Sequence, residues 1–354
     1  MGLSSAPQSG YPRRVEIAIG AEVVERIRAH LEEATQRPAE VRSVKVLGGG
    51  ACQENFEVDA VLGGEPRRLV LRSDAPTSLP GSIDRAREHA AIARAVAAGV
   101  ATPAARWLGR GLVREGSSAY FLDWVSGDAI GRKIVAGKEL AEARAKLAPA
   151  LAAELAKIHS VTPAVAPELF DGPVPAPYDV AATQLQRMRG SIDAMRAPRP
   201  AMEIIHRWLW HNRPTPEPPV LVHGDFRTGN FLVAPAGLSA ILDWEFAHWG
   251  SPYEDLTWIS VRDWRFGQLA LPIGGFSRRE PFYEAYERAS GRVLDPRTLF
   301  YWEVFGNLGW AIGCVYQVER YVYGGVDDFE LVAIGRRAAE MEFEAMRLIE
   351  RGKL

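Results

Sequence analysis

Between residues 42 and 74 the chain offers three short segments rich in Val and Leu: RSVKVLGG (42–49), QENFEVDAVL (53–62) and RRLVLRSD (67–74). Only the glycine-bearing turns GGGAC and GGEP separate them. Such segments read as antiparallel strands closed by tight turns. SAYFLDWV (118–125) is a further strand, broken by Ser126-Gly127, and beyond it helical patterning dominates. Strands gathered at one end and helices at the other define an α+β chain. The expected architecture is a small antiparallel-sheet lobe over 1–126, a hinge at 123–127, and a larger, mainly helical lobe over 127–354.

The helices follow from spacing and stop signals. AEVVERIRAHLEEA (21–34) has apolar residues at helical intervals, and DRAREHAAIARAVAAG (84–99) closes on glycine. ELAEARAKLAPALAAELAKIH (139–159) is one long helix with Pro149 as an expected kink or boundary. Residues 161–177 form a proline-rich loop. Two helices are expected between 180 and 212, and others over 253–262, 280–290, 296–318 and 328–350.

At 354 residues and 47% hydrophobic composition, the chain has material for two well-filled lobes. A net charge of -2 gives no ground for nucleic acid or an anionic membrane as partner. Cys52 and Cys314 are too far apart for a metal-ligand spacing or a disulfide framework. The start, MGLSSAPQSGYPRR, lacks the apolar core of a secretory signal. Its loose likeness to a myristoylation pattern is undercut by Pro7 and the lack of a basic patch. A cytoplasmic protein acting on a small molecule is expected; the oligomeric state is not set by the sequence.

The chemistry is concentrated in LVHGDFRTGNFLV (221–233) and ILDWEFAHWGSPYEDLTW (241–258). Apolar, β-leaning stretches flank a polar loop carrying His223, Asp225, Arg227 and Asn230, and a second apolar run ends in Asp243. Phosphoryl transfer needs a carboxylate at the acceptor hydroxyl, oxygen ligands for Mg²⁺, a cation on the nucleotide phosphates and a loop covering them. The Asp225-x-x-x-x-Asn230 spacing lets one loop present a carboxylate to the acceptor and an amide oxygen to a metal. A strand ending at Asp243 carries another carboxylate to the same place.

These residues resemble the signature of the aminoglycoside phosphotransferase and choline kinase-like superfamily, relatives of protein kinases. The resemblance covers nearly the whole chain from about residue 40 and implies a two-lobed protein-kinase-like fold using ATP and Mg²⁺. It implies Asp225 as catalytic base, and Asn230 and Asp243 as metal ligands. GGGACQENF (48–56), with Gly49, Gly50, Ala51 and Asn55, resembles the nucleotide-covering loop. Glu88 takes the place of the family's ion-pairing glutamate. FLDWVSG (121–127), with Asp123 and Val125, resembles the connector that meets adenine through its backbone.

One position departs from the pattern. The family usually has lysine on the third strand, reaching the phosphates, and VLRSD puts Arg72 there. Arginine keeps the charge but is bulkier and grips with a planar fork. With HGDFR and LDWE, it resembles the subfamily of phosphotransferase domains associated with acyl-CoA dehydrogenases, which implies hydroxyacyl-CoA thioesters as candidate acceptors.

Plainer roles compete for several residues. His223 is read as bracing its loop. Asp255 is a buried anchor or a helix cap. Glu245 either joins the metal's outer shell or faces outward, and Arg227 either orients an acidic substrate group or pairs with a nearby acid. Arg72 and Glu88 could equally form a surface salt bridge of little consequence. After Asp243 the chain enters helix with no long activation segment, which favours a small acceptor over a protein. Arg262, Trp264, Arg265 and Trp310 suit an apolar acyl group with an anionic head, although any single tryptophan is as well explained as core. The alternatives are an antibiotic, choline-like or sugar kinase, and a pseudokinase that only binds.

Overall fold

The structure, a computed structural model, describes residues 19–47, 54–75, 79–170, 174 and 179–354. Strands β1 (Ala39–Val46), β2 (Glu54–Leu62), β3 (Glu65–Ser73), β4 (Ala105–Arg110) and β5 (Ser118–Asp123) make one antiparallel sheet in the order β1-β2-β3-β5-β4. Gly63 and Gly64 close the β2–β3 hairpin at φ +58° and +89°, the positive values that a two-residue turn between right-twisted strands requires.

Alternation along these strands decides what lies on each face. Phe56, Val58, Leu69 and Leu71 bury against Val23, Ile27 and Leu31 of helix α1 (Ala21–Thr35). The opposite face carries Val70 and Arg72 of β3 and Tyr120 and Leu122 of β5. It lies beneath helix α2 (Arg85–Ala97), whose Ala91, Ile92 and Ala95 share a core with Tyr120 and Leu122. That same core runs on without interruption into the helical part of the chain. The lobe therefore has two covering helices. Strand β4 was not anticipated. Its pairing with β5 shifts between Arg106 and Gly109, with Trp107 at φ +48°. Its residues alternate in burial, but an outward position holds Leu108 and an inward one Gly109, so the apolar–polar alternation that betrays a strand is missing from the sequence.

Past the hinge come α3 (Gly131–Ala136), α4 (Ala141–Ile158), α5 (Val180–Asp193) and α6 (Pro200–His211). Pro149 neither ends nor divides α4. A proline removes one helical hydrogen bond, and the buried stripe Leu147, Leu151 and Leu155 holds the segment helical around it. Two small antiparallel pairs follow: β6 (Val220–Val222) with β9 (His248–Gly250), and β7 (Phe231–Ala234) with β8 (Gly237–Ile241). The chain then forms α7 (Pro252–Trp258), a short 3₁₀ turn (Arg262–Arg265), α8 (Arg279–Ser290) and the long α9 (Pro296–Val322). The expected helix over 328–350 is two, α10 (Phe329–Gly335) and α11 (Ala338–Arg351). Helix α9 packs against α6, α7, α10 and α11. Among the described residues no helix is long and apolar enough to cross a membrane.

Candidate active site

Two antiparallel strand pairs set the site. The loop His223–Asn230 joins β6 to β7, and Asp243 stands two residues beyond the end of β8. Gly224 permits the first turn: at φ +81° it passes the Phe246 carbonyl so closely that an added Cβ would lie 2.2 Å from that oxygen. Asp255 of α7, fully buried, pins the loop by accepting the His223 N–H at 2.7 Å and the Gly224 N–H at 2.9 Å. His159 Nε2 lies 3.2 Å from the same carboxylate, and His159 Nδ1 is 2.8 Å from the Tyr286 hydroxyl. Burial opposes ionisation of Asp255, yet His159 and the backbone donors hold its carboxyl below the ordinary range. The buried His223 ring accepts the Asp225 N–H at Nδ1 (3.3 Å) and therefore donates from Nε2 to the Leu242 carbonyl (2.9 Å). One imidazole thus ties the Asp225 loop to the segment that carries Asp243.

Four hydrogen bonds meet the Asp225 carboxylate. Trp258 Nε1 donates to Oδ1 at 2.7 Å, Asn230 Nδ2 to Oδ2 at 2.6 Å, and Arg227 Nε to both oxygens at 3.0 and 3.1 Å. Burial pushes its carboxyl above the usual range, and nearby Asp243 adds to the rise against the pull of Arg227 and Trp258. Asp243 sits at φ +71°, a backbone state uncommon outside glycine and stored characteristically at functional sites.

The sheet contributes Arg72. Because Leu71 faces α1, its neighbour Arg72 must face α2, where Glu88 is wholly buried. Arg72 Nη2 donates to Glu88 Oε1 at 2.9 Å and to Asp243 Oδ1 at 3.0 Å, crossing from sheet to helical lobe. Burial works against the arginine's charge, but Glu88 and Asp243 outweigh it and raise its pKa. Arg85 holds the other oxygen of Glu88, so this is a buried network rather than a surface pair. Glu245 is buried; its carboxylate is 3.8 Å from Arg85 and its carbonyl accepts the Ile83 N–H at 2.7 Å.

Asn55 pairs with Arg72 across β2 and β3, and its Oδ1 is buried without a hydrogen-bond partner among the described residues. Asp123 ends β5 and binds Arg106 at 2.9 Å, while Val125 is half-buried in the connector. Gly49, Gly50 and Ala51 lie outside the described residues.

Of the suggested acceptor-side residues, the structure gathers three. The Arg227 guanidinium lies 4.4 Å over the Trp264 ring, and Trp264 packs 4.7 Å from Trp310, whose N–H binds Asp263 at 2.7 Å. Arg262 and Arg265 are corrected. Arg265 is buried, donates to the Ser260 carbonyl and pairs with Glu303 (3.3 Å) and Glu344 (4.0 Å). Arg262 lies 3.8 Å from both Glu340 and Glu344. A buried guanidinium demands such partners, and that of Arg265 joins the 3₁₀ turn to α9 and α11; the half-exposed Arg262 leans toward α11. Trp258, which the sequence did not single out, touches the central carboxylate directly.

A small antiparallel sheet seated on a helical lobe, with acids and an arginine at the seam, is the build of a two-lobed phosphotransferase. The chain belongs to the phosphotransferase enzyme family APH, whose model matches residues 43–298. Segments also match acyl-CoA dehydrogenase family member 10 of Mus musculus (41% identity over 61 residues, 17% of this chain and 6% of that protein). Member 11 of Pongo abelii matches at 29% over 154 residues, 41% of this chain and 19% of that protein. The chain thus spans a fifth or less of these relatives' length. Among solved structures, a Ralstonia eutropha protein assigned as an aminoglycoside phosphotransferase superposes with TM-score 0.72 at 20% identity, covering 93% of this chain and 99% of its own. A choline/ethanolamine kinase family protein of Mesorhizobium loti gives TM-score 0.56 at 19% identity, covering 93% and 95%.

Proposed function

We propose that the chain is an ATP- and Mg²⁺-dependent kinase that phosphorylates a hydroxyl of a small molecule, with Asp225 as the base. The observation carrying this reading is the meeting of Asp225, Asn230, Asp243 and Arg72 where the sheet lobe (to residue 126) joins the helical lobe (from 127). The donor set suits magnesium: Asn230 and Asp243 offer hard oxygen atoms. No cluster of three His, Cys, Asp or Glu able to hold a metal exists among the described residues, and Mg²⁺ bound mainly through a triphosphate needs only one or two protein ligands. When bound, Mg²⁺ neutralises charge developing on the phosphates.

The chain's own groups do the remaining work. Arg72, braced by Glu88 and Arg85, directs its guanidinium at the phosphates. The role of covering them is assigned to the loop 48–55, of which 48–53 lie outside the described residues, and that of meeting adenine to the connector at Asp123 and Val125. Asp225 accepts a hydrogen bond from the acceptor hydroxyl and takes its proton as attack proceeds. Catalysis rests on positioning and charge neutralisation.

The acceptor class we favour is a hydroxyacyl-CoA thioester. Two things support it: the segment matches to acyl-CoA dehydrogenase family members, and an acceptor side on which Arg227 lies over Trp264, itself packed on Trp310. A cationic, aromatic wall suits an anionic, partly apolar ligand and repels a polycationic antibiotic. The test is Mg²⁺-dependent ADP release across hydroxyacyl-CoA thioesters, aminoglycosides, choline and sugars, with Asp225→Ala alongside. Turnover is expected with the thioesters, and the variant is expected to lose it by several orders of magnitude while still binding ATP. Kanamycin-type turnover without thioester turnover overturns the acceptor; an active Asp225→Ala protein overturns the base.

A further inference from the structure

Asp225 has three neighbours that donate to its side chain, and they do not act alike. Arg227 shares one N–H between both oxygens, so it sets no rotation of the carboxylate. Orientation comes from the ends: Asn230 holds Oδ2 and the Trp258 indole holds Oδ1. In the proposed reaction Asn230 also serves the metal. The Trp258 indole has a single N–H, and among the described residues Asp225 is its partner.

The indole is itself held in place. Helix α7 begins with a capping box, in which the Ser251 hydroxyl and the Glu254 carboxylate each accept a backbone N–H of the other's segment. On this helix Asp255 and Trp258 are three residues apart and share a face, so one element grips the loop backbone and the base together. Behind the indole, α9 carries Gly306 and Gly309 in mid-helix, where glycine is a poor choice. A Cβ added there would lie 3.5 Å and 3.7 Å from the Trp258 ring, an ordinary contact distance, and 3.1 Å and 3.2 Å from Val261 and Met188, so the ring rests close over the α9 backbone on a floor made of the two glycines. Trp264 closes the side, with ring centroids 5.9 Å apart.

We propose that Trp258 is a positioning residue for the transfer reaction: its N–H, aimed by α7 and seated on the glycine floor of α9, fixes the Asp225 carboxylate so that its open edge meets the acceptor hydroxyl. This rests on Asp225 being the base. Without the N–H, the carboxylate is free to turn into a two-pronged pair with Arg227 and leave the acceptor.

The experiment uses the full chain with Trp258→Phe, which keeps a ring in the seat and removes the donor. A second protein carries β-(3-benzothienyl)alanine at 258, an isosteric bicycle with sulfur in place of N–H, which preserves the packing if phenylalanine does not. Expected are a kcat lowered by about 10- to 100-fold, with the KM for ATP and Tm unchanged. In an Asp225→Asn background the Trp258 change is expected to have no further effect, because it acts through that carboxylate. Wild-type kcat in the benzothienyl protein overturns the proposal, as does a full, multiplicative loss in the Asp225→Asn background. An Asp225→Asn single variant with intact turnover would overturn the base assignment instead, so the two failures are separable.

Discussion

Asp255 touches none of the reacting groups proposed, yet it holds the loop that presents them. Its two oxygens satisfy the backbone N–H groups of His223 and Gly224. Asp255→Ala leaves both donors buried and unmet, and is expected to destabilise the protein by about 2–5 kcal/mol in urea denaturation at pH 7. The sign of the pH effect follows from its lowered pKa. The stabilisation is complete above the unfolded-state carboxyl value, about 4, and is lost as pH falls through the lower folded value. The gap between wild type and variant should therefore narrow only in strong acid; a gap that narrows already near neutrality would contradict this. At this scale Asp225, Asn230 and Asp243 could be picked out as candidates because the proposed chemistry depends on spacing within one loop and one strand end. Trp258 was not, since its bond to Asp225 spans the β7–β8 hairpin. Arg262 and Arg265 were misread for a related reason. Their acidic partners Glu303 and Glu344 sit on distant helices, and a basic, aromatic stretch does not tell which side of a turn faces the ligand.

Among elements, α4 shows propensity losing to packing. Pro149 interrupts a sequence otherwise made of strong helix formers, but nine of the helix's residues are buried and keep it continuous. The penalty of the missing bond remains, so Pro149→Ala is expected to raise stability by about 1–3 kcal/mol. A calorimetric Tm that stays put or falls would show that the proline's ring is needed where it lies. Strands β1, β2, β3 and β5 were readable from alternation and turn glycines, and the helices from their period. Strand β4 was hidden because an outward position holds the apolar Leu108 and an inward one Gly109. The break between α10 and α11 has no proline, and its only glycine is Gly335, at the end of α10.

For the molecule as a whole, the hydrophobic core does not respect the seam. Ala91, Ile92 and Tyr120 from the sheet side belong to the same cluster as Leu155, Trp244 and Leu308. Backbone bonds from Ile83 to Glu245 and from Ile241 to Ala101, both 2.7 Å, add polar stitches. Heating is accordingly expected to give one calorimetric transition; two resolved transitions would mean that the lobes are energetically separate. The sequence foretold two lobes from strands gathered at one end and helices at the other, but could not foretell this union, which depends on which face of the sheet α2 covers. Arg72 is the charged stitch in that union. An ammonium in its place, beside the same two carboxylates, would keep its proton past neutrality but lose it at high pH before a guanidinium does. The fastening between sheet and helices therefore outlasts strong alkali that would let a lysine version come undone.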